Sequence, residues 1–415
     1  MASAGSLQGL FFALYCSESC PVNFDRDTFL HRMAQTSPFP FDIAIERAEG
    51  IYLYSPDGKR YTDMISGIGV SSIGHRHPHV LDAIHRQLDK HLHVMVYGEY
   101  IQSAPNQLAS LLTSLLPPTL NCCYFVNSGT EANEAALKLA KRVTGRTELV
   151  SFRKSYHGST HGSMSVSGNE VKKIAFRPLL PDVRFLTFNE TSELSQITNQ
   201  TAGVIIETIQ GDAGVRIPSM EFMQALRNRC DETGSMLIFD EIQCGMGRTG
   251  KLFAFEHYGV APDILTLAKA FGGGLPIGTF ISSEAHMKSL THDPMLGHIT
   301  TFGGNPVCCA SAHATLEVLT QEKLIDQVEE KGRYLQSLLQ HPDIREIRRI
   351  GLMFAMDFAS AEKVNRIVAR ARENGIILYW FLSHPYSIRM APPLTIGMDQ
   401  LKESAEMILD AIEHS

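Results

Sequence analysis

From about residue 100 to residue 300, short apolar segments alternate with longer helical ones, and this pattern most constrains the fold of the chain. Seven of the apolar segments have the length of buried strands, and helical stretches such as 131–143 and 219–233 separate most of them. The alternation predicts an α/β domain with a mostly parallel central sheet. The predicted strands are Cys122–Val126, Thr147–Phe152, Val183–Leu186, Gly203–Glu207, Met236–Phe239, Ile264–Ala268 and Thr279–Ser282.

In an open sheet of this kind ligands bind beyond the carboxyl ends of the strands, so the residues that follow each strand are considered together. The strand Ile264–Ala268 runs directly into Lys269 and then into the glycines 272–274. Burial of a lysine lowers its pKa, and the neutral amine then forms Schiff bases with carbonyl groups. The glycines would let backbone approach a planar ligand. The alternative is a surface lysine at a strand end.

Asp240 follows the predicted strand Met236–Phe239. A carboxylate at the end of a buried strand needs a hydrogen-bond or charge partner. A pyridinium nitrogen would be one such partner, and a structural ion pair within the protein would be another. The residues around Asp240 leave both interpretations open.

Two further strand ends carry candidate ligand groups. Ser128, Gly129 and Thr130 follow Cys122–Val126 and open a helix, which is a favourable place for a phosphate. Tyr156 follows Thr147–Phe152 and could stack on a planar ring. A simple helix cap and a core tyrosine are the alternatives.

Several classes of function are disfavoured by the composition. The chain has 415 residues and a formal charge of −7, and no basic run suggests nucleic-acid binding. No apolar segment is long enough to span a membrane. The eight cysteines follow neither disulfide nor zinc spacing, which favours a reducing cytoplasm. Three histidines within residues 75–79 share no helical face, so no metal site is expected.

The segment Gly245–Gly250 fits the dinucleotide-binding pattern G-x-G-x-x-G. The preceding strand ends at Asp240, however, and no clean helix follows the glycines. A nicotinamide-dependent oxidoreductase is therefore disfavoured. Near the end of the chain, Arg389 lies in an apolar strand, where its guanidinium should bind a carboxylate of the protein or of a substrate.

Taken in order, five motifs resemble those of the class-III aminotransferases, the ornithine, acetylornithine and GABA type that depends on pyridoxal phosphate (PLP). They are NSGTEANEAALKLAKR, YHGST, DEIQCGMGRTG, TLAKAFGGGLPIG and TTFGGNP. The resemblance extends from about residue 40 to the C-terminus. It implies fold type I and a homodimer with shared active sites. The domains expected are a loose tail (1–22, with a signal peptide as the alternative), an N-terminal segment joining the small domain (23–75), a large PLP-binding domain (76–322) and a C-terminal small domain (323–415).

The resemblance also implies roles for individual residues. Lys269 would carry the cofactor as a Schiff base and later move the proton, and Asp240 would pair with the pyridine nitrogen. Gln243 would lie near the ring hydroxyl, and Tyr156 would stack on the ring. The turn Ser128, Gly129 and Thr130 would bind the phosphate, which Thr301 would reach from the neighbouring subunit. Arg389 would bind a substrate carboxylate.

Three positions depart from the family pattern. Ser159 stands where HGRT versions of the YHGST motif have arginine, so a second carboxylate anchor is missing. Asp212 ends the segment that matches EPIQGE, which makes the acidic partner of Arg389 one methylene shorter. Ile68 stands where ornithine aminotransferases have a substrate-binding tyrosine. All three are candidate substrate-binding positions.

The sequence therefore predicts a PLP-dependent aminotransferase that moves an amino group from an amino acid or ω-amine donor to a 2-oxo acid by a ping-pong mechanism. An amino-acid racemase or epimerase on the same scaffold is the first alternative, because the same carbanion can be reprotonated on either face. A non-catalytic PLP-binding protein is the second, and the combination of Lys269, Asp240 and Thr301 argues against it.

Overall fold

The computed structural model describes residues 25–415. These residues form two compact units. The smaller comprises the described part of Met1–Arg47 together with Tyr54–Lys59, and the larger comprises Ala48–Leu53 and Arg60–Ser415. The tail predicted for residues 1–22 lies outside the described residues, and the domain boundaries drawn from the sequence stay a prediction. No helix within residues 25–415 is long and apolar enough to cross a membrane.

The strands, numbered along the chain, are β1 Arg47–Glu49, β2 Tyr52–Tyr54, β3 Arg60–Asp63, β4 Cys122–Val126, β5 Glu148–Phe152, β6 Val183–Leu186, β7 Thr201–Glu207, β8 Met236–Asp240, β9 Ile264–Leu267, β10 Gly278–Ser282, β11 Glu346–Ile350, β12 Met353–Asp357, β13 Ile376–Ile377, β14 Tyr379–Trp380 and β15 Ser387–Met390. The α-helices are α1 Arg26–Arg32, α2 Pro78–Leu88, α3 Ser103–Ser114, α4 Gly129–Thr144, α5 His161–Val166, α6 Met220–Thr233, α7 Glu284–Met287, α8 Pro306–Gln321, α9 Val328–Leu338, α10 Ala361–Glu373 and α11 Met398–Glu413.

The central sheet has seven strands in the order β4-β10-β9-β8-β7-β5-β6. All seven strands predicted from the sequence are present, and the α/β class with a mostly parallel sheet is confirmed. Strand β10 runs antiparallel to both of its neighbours, whereas β9, β8, β7, β5 and β6 pair in parallel. The carboxyl ends of the parallel strands therefore meet at one edge of the sheet.

Two smaller sheets have the orders β1-β2-β3-β13 and β11-β12-β15-β14. Arg389 lies on β15, which pairs antiparallel with both β12 and β14. The alternation of apolar residues at Ile43–Ile45 also predicts a short strand, but none is formed there, and the first strand within residues 25–415 is Arg47–Glu49.

The loop at residues 63–70 contains a left-handed turn. All four residues of Ser66–Gly69 have positive φ, including Ile68 at 65°. A β-branched residue in this conformation is strained, at a cost of roughly 1–2 kcal/mol. Asp63 fixes the turn, because its Oδ1 accepts hydrogen bonds from the backbone of Ile65 and Ser66 while its Oδ2 contacts His75 at 2.9 Å.

Gly278, the first residue of β10, is required by a close approach of two backbones. A Cβ at this position would lie 2.8 Å from the Ser128 carbonyl carbon and closer still to its oxygen. Ser128 is the N-cap of α4, so β10 and the start of this helix are in direct contact.

We expect Gly278→Ala to lower the free energy of unfolding by about 1–3 kcal/mol, because the added methyl group must push β10 away from the Ser128 turn. Urea unfolding of the purified protein measures this change. An unchanged unfolding midpoint would show that the turn relaxes freely, contrary to this prediction.

Candidate active site

A cavity of about 460 Å³ opens at the carboxyl ends of the central strands. Eight of the residues proposed from the sequence line it together: Ser128, Gly129, Thr130, Tyr156, Ser159, Asp240, Gln243 and Lys269. Because these residues come from four separate segments of the chain, their convergence is produced by the fold and not by sequence proximity. Ile68, Asp212, Thr301 and Arg389 do not line it, although Val70, just after the left-handed turn, does.

Asp240 ends β8 and is buried, with 4% of its surface exposed. Its Oδ2 accepts a hydrogen bond from Asn133 Nδ2 at 2.8 Å and lies 2.8 Å from His157 Nδ1. Its Oδ1 accepts from the backbone of Ile242 at 3.1 Å. These contacts satisfy the buried carboxylate and fix its orientation at the wall of the cavity.

Lys269 follows β9, the neighbour of β8 in the sheet. Burial lowers the pKa of Lys269, and the positive charge of Arg389 lowers it further. Its backbone has a φ of +48°, a strained conformation of the kind found at functional sites. Both properties agree with an amine that is set up to react with a carbonyl group.

The glycines after Lys269 do not all face the cavity. Gly274 lines it, whereas a Cβ at Gly273 would overlap the hydroxyl group of Thr315 on α8. Ser311 of the same helix donates a hydrogen bond to the Gly272 carbonyl at 2.8 Å. From the sequence we predict that these glycines let backbone approach a planar ligand. At Gly273 this is wrong, because the missing side chain makes room for helix α8 instead.

Ser128, Gly129 and Thr130 form the start of the 16-residue helix α4. The first backbone N–H groups of a helix have no acceptor within it, and the helix dipole adds positive potential there. The Thr130 hydroxyl already contacts Ser163 Oγ at 2.6 Å and Thr160 Oγ1 at 2.7 Å. The turn is thus fixed by side chains while its amides stay available to an anion such as phosphate.

Tyr156 lies on the rim of the cavity with 43% of its surface exposed. Its hydroxyl group is 3.1 Å from Ser159 Oγ, and its backbone N–H donates to Glu207 Oε1 at 2.9 Å. On the other side, Glu207 Oε2 accepts from the Gly211 backbone at 2.9 Å. A Cβ at Gly211 would overlap the Gln243 side-chain amide, so glycine here leaves Gln243 its place.

Three residues of the site were not assigned a role from the sequence: His157, Asn133 and Glu207. His157 and Asn133 hold Asp240, and Asn133 in turn accepts from Thr266 Oγ1 at 2.8 Å. Glu207 pairs in register with Asp240 across β7 and β8. Two adjacent core strands that both end in a carboxylate are a signal readable in the sequence, whereas the contacts of Asn133 depend on the tertiary fold.

Arg389 is buried, and burial lowers the pKa of its guanidinium group. The negative charges of Asp212 and Glu207 act in the opposite direction and raise this pKa. The closest of these contacts joins Nη2 to Asp212 Oδ1 at 4.0 Å. Thr301, by contrast, is exposed on the surface of this chain.

Glu207 makes stability depend on pH. Burial raises its pKa from 4.5 to about 7, and the negative charge of Asp240 adds to this increase. Between these two values the folded state binds more protons than the unfolded state, so the contribution of Glu207 to stability is lost as the pH rises from about 4.5 to 7.

We expect the free energy of unfolding of the wild type to fall relative to that of Glu207→Gln by on the order of 2–3 kcal/mol between pH 5 and pH 8. Urea unfolding of both proteins across this range measures the difference. Two parallel pH profiles would contradict the prediction.

Comparison with known proteins agrees with this geometry. The family profile described as Aminotransferase class-III matches residues 33–412. The chain is 37% identical over 380 residues to acetylornithine aminotransferase from Bacillus subtilis, which covers 90% of this chain and 96% of the relative. It is 38% identical over 414 residues to putrescine aminotransferase from Pectobacterium atrosepticum, which covers 94% and 88%.

Among solved structures, ornithine aminotransferase from Toxoplasma gondii, described with partial occupancy of PLP at its active site, superposes with a TM-score of 0.86. Its sequence is 26% identical, and the match covers 99% of this chain and 98% of that one. The resemblance read from the five motifs is confirmed.

Proposed function

This chain belongs to the class-III aminotransferases, and from that premise we propose that the cavity around Lys269 and Asp240 is its catalytic site. The protein is a PLP-dependent aminotransferase that transfers an amino group to a 2-oxo acid. The observation that carries the proposal is the meeting, in one cavity, of an amine, a carboxylate and a helix N-terminus. These three groups would serve such a cofactor as its covalent, ring-nitrogen and phosphate partners.

The residues present fit PLP. The amides at the start of α4 suit its phosphate, the Asp240 carboxylate suits a protonated ring nitrogen, and the exposed face of Tyr156 suits stacking on the ring. The side chain of Gln243 would be the polar neighbour of the ring hydroxyl group. When bound, the cofactor supplies an aldehyde that takes the amino group and a ring that withdraws electrons from the donor carbon.

The chain's own residues then have separate tasks. Lys269 Nζ would hold the cofactor covalently and, as a free amine, would move a proton at the donor carbon. Asp240, oriented by His157 and Asn133, would pair with the ring nitrogen and favour its protonated form. Arg389 binds the substrate carboxylate and thereby orients the reacting carbon.

We expect Lys269→Ala to abolish turnover and the covalent attachment of PLP. Borohydride reduction of the wild type followed by peptide mapping identifies the attached lysine. Lys251→Ala is the control, because Lys251 is exposed and lies outside the cavity. A reduced adduct on any lysine other than Lys269 would refute the assignment.

We also propose that the protein is a homodimer with shared sites, built from a large PLP-binding domain and a small domain and located in the cytoplasm. The six cysteines of the described chain are all free, which supports a reducing compartment. Large apolar side chains at Leu92, Ile101 and Phe302 are exposed, and Ile101 is 95% exposed. Such residues favour a covered surface.

The segments that carry Leu92 and Phe302 are in contact with each other. Asn305 Nδ2 donates to the Leu92 carbonyl at 3.1 Å, and the rings of His93 and Phe302 lie 5.0 Å apart. Thr301 is part of the same exposed surface. In a dimer formed through this surface, the family resemblance implies that Thr301 of one subunit reaches the phosphate of the other.

We expect mixtures of Thr301→Ala and Lys269→Ala subunits to recover activity at limiting PLP, because each mixed dimer contains one undamaged site. Thr300→Ala is the matched control, since Thr300 bonds to Asn127 of its own chain at 2.8 Å and should not complement Lys269→Ala. Failure to recover activity, with subunit exchange demonstrated, would argue against a shared site.

The donor is proposed from the departures at Ser159 and Ile68. Arg389 pairs with one carboxylate, whereas Ser159 offers only a neutral hydroxyl group where many relatives have arginine. Donors whose far end is neutral or carries an amine should therefore be preferred to GABA. Putrescine, the substrate named in one of the two relatives, is a diamine and therefore has a far end of this kind.

We expect Ser159→Arg to raise kcat/KM for GABA by about tenfold, since a charged hydrogen bond contributes about 1.5–3 kcal/mol against roughly 1 for a neutral one. Ser159→Gln, which adds a polar group without a charge, is the control. Steady-state kinetics with GABA and with diamines test this. A wild type that prefers GABA to every diamine would contradict the pocket argument and would leave the cofactor assignment intact.

A further inference from the structure

The contacts of the Arg389 guanidinium group decide whether its charge is available to a substrate. The side chain is buried, with 6% of its residue surface exposed, and its Nε has no hydrogen-bond partner among the described residues. At 4.0 Å, the Asp212 carboxylate is too far away for a hydrogen bond to Nη2. An arginine and a carboxylate this close normally form direct bonds of about 2.7–2.9 Å.

Asp212 is instead bound by the segment that precedes β15. The backbone N–H of Leu382 donates to Oδ1 at 3.0 Å, and the Ser383 hydroxyl group donates to Oδ2 at 2.7 Å. Ser383 Oγ also accepts from Asn169 Nδ2 at 2.9 Å, which orients the hydroxyl hydrogen toward Asp212. Both oxygens of the carboxylate therefore have donors other than Arg389.

We propose that Ser383 is a specificity-determining residue, a positioning residue whose hydroxyl group holds Asp212 away from Arg389 and so leaves the guanidinium to the substrate carboxylate. Without this hydroxyl group, Oδ2 is a buried charged oxygen that lacks a donor. Arg389 lies 4.0 Å from the other oxygen of the same carboxylate, and a carboxylate bonded to Arg389 competes directly with that of the substrate. This inference rests on the proposed role of Arg389.

The turn that carries Ser383 has independent anchors. His384 Nε2 lies 3.1 Å from Asp357 Oδ1, and Arg348 Nε donates to the Gly214 carbonyl at 2.8 Å beside the same turn. A Cβ at Gly214 would lie 2.8 Å from the His384 ring, so the two loops are packed together. Removal of one hydroxyl group should leave the turn in place.

The test compares Ser383→Ala with Ser383→Thr, which keeps the hydroxyl group, in the cofactor-loaded enzyme. We expect Ser383→Ala to raise KM for pyruvate or 2-oxoglutarate by about tenfold or more with kcat little changed. The Kd of the unreactive carboxylate propionate, measured by calorimetry, should rise in parallel. The threonine variant should behave like the wild type, and PLP affinity and Tm should be unchanged in both.

A double-mutant cycle with Asp212→Asn identifies the route of the effect. In the Asp212→Asn background the Ser383→Ala change should no longer weaken carboxylate binding, because no competing charge remains. An effect of the same size in both backgrounds would overturn the proposal. A Ser383→Ala variant with wild-type affinity for carboxylates would also overturn it. The same holds for a variant in which Tm, PLP affinity and activity all fall together.

Arg389→Lys separates this proposal from the one on which it rests. If that variant retains the wild-type KM for the 2-oxo acid, Arg389 is not the residue that binds the substrate carboxylate, and its proposed role is refuted. If Arg389→Lys weakens carboxylate binding and Ser383→Ala does not, only the inference about Ser383 is refuted.

Discussion

The hydrogen bonding of the buried Asp240 carboxylate is the interaction on which the rest of the site depends. A charge at the end of a core strand is costly unless every polar contact is supplied by the protein or by a ligand. Asn133 comes from helix α4 and His157 from the segment after β5, while Asp240 itself ends β8. One carboxylate thus connects the end of β8 with the segment after β5 and with helix α4, and these segments carry other candidate groups.

Charge balance around the cavity follows from the same arrangement. Glu207 and Asp240 are paired in register at the ends of adjacent strands, and burial together with the neighbouring negative charge raises the pKa of Glu207 to about 7. Lys269 has the opposite bias, because burial and the charge of Arg389 lower its pKa. Each shift therefore moves its group toward the neutral form. An uncharged lysine is the form that attacks carbonyl groups.

Much of the fold and of the candidate site could be predicted from the sequence, because the signals lie within short segments of the chain. The seven strands of the central sheet are apolar runs bounded by helical stretches, so periodicity finds them, and Lys269 and Asp240 stand out as charges at their ends. Periodicity failed at Ile43–Ile45, where three residues without a neighbouring core do not make a strand. It gave no direction for β10, because antiparallel and parallel strands have the same apolar pattern. The roles of Asn133 and Gly273 depend on contacts with Asp240 and Thr315, which are far away in the chain.

Backbone strain at two positions lowers the stability of the fold and holds parts of the candidate site in place. Lys269 and Ile68 both have positive φ, and neither is a residue type that favours it. Strain of this kind persists only where surrounding contacts determine the conformation. Around Ile68 those contacts are made by Asp63, whose carboxylate bonds the backbone of the turn and His75. Since the next residues lead to Val70 in the cavity wall, the strained turn places one wall of the site, just as the strained backbone of Lys269 places its amine. The site is therefore shaped as much by residues that never meet a ligand as by those that line the cavity.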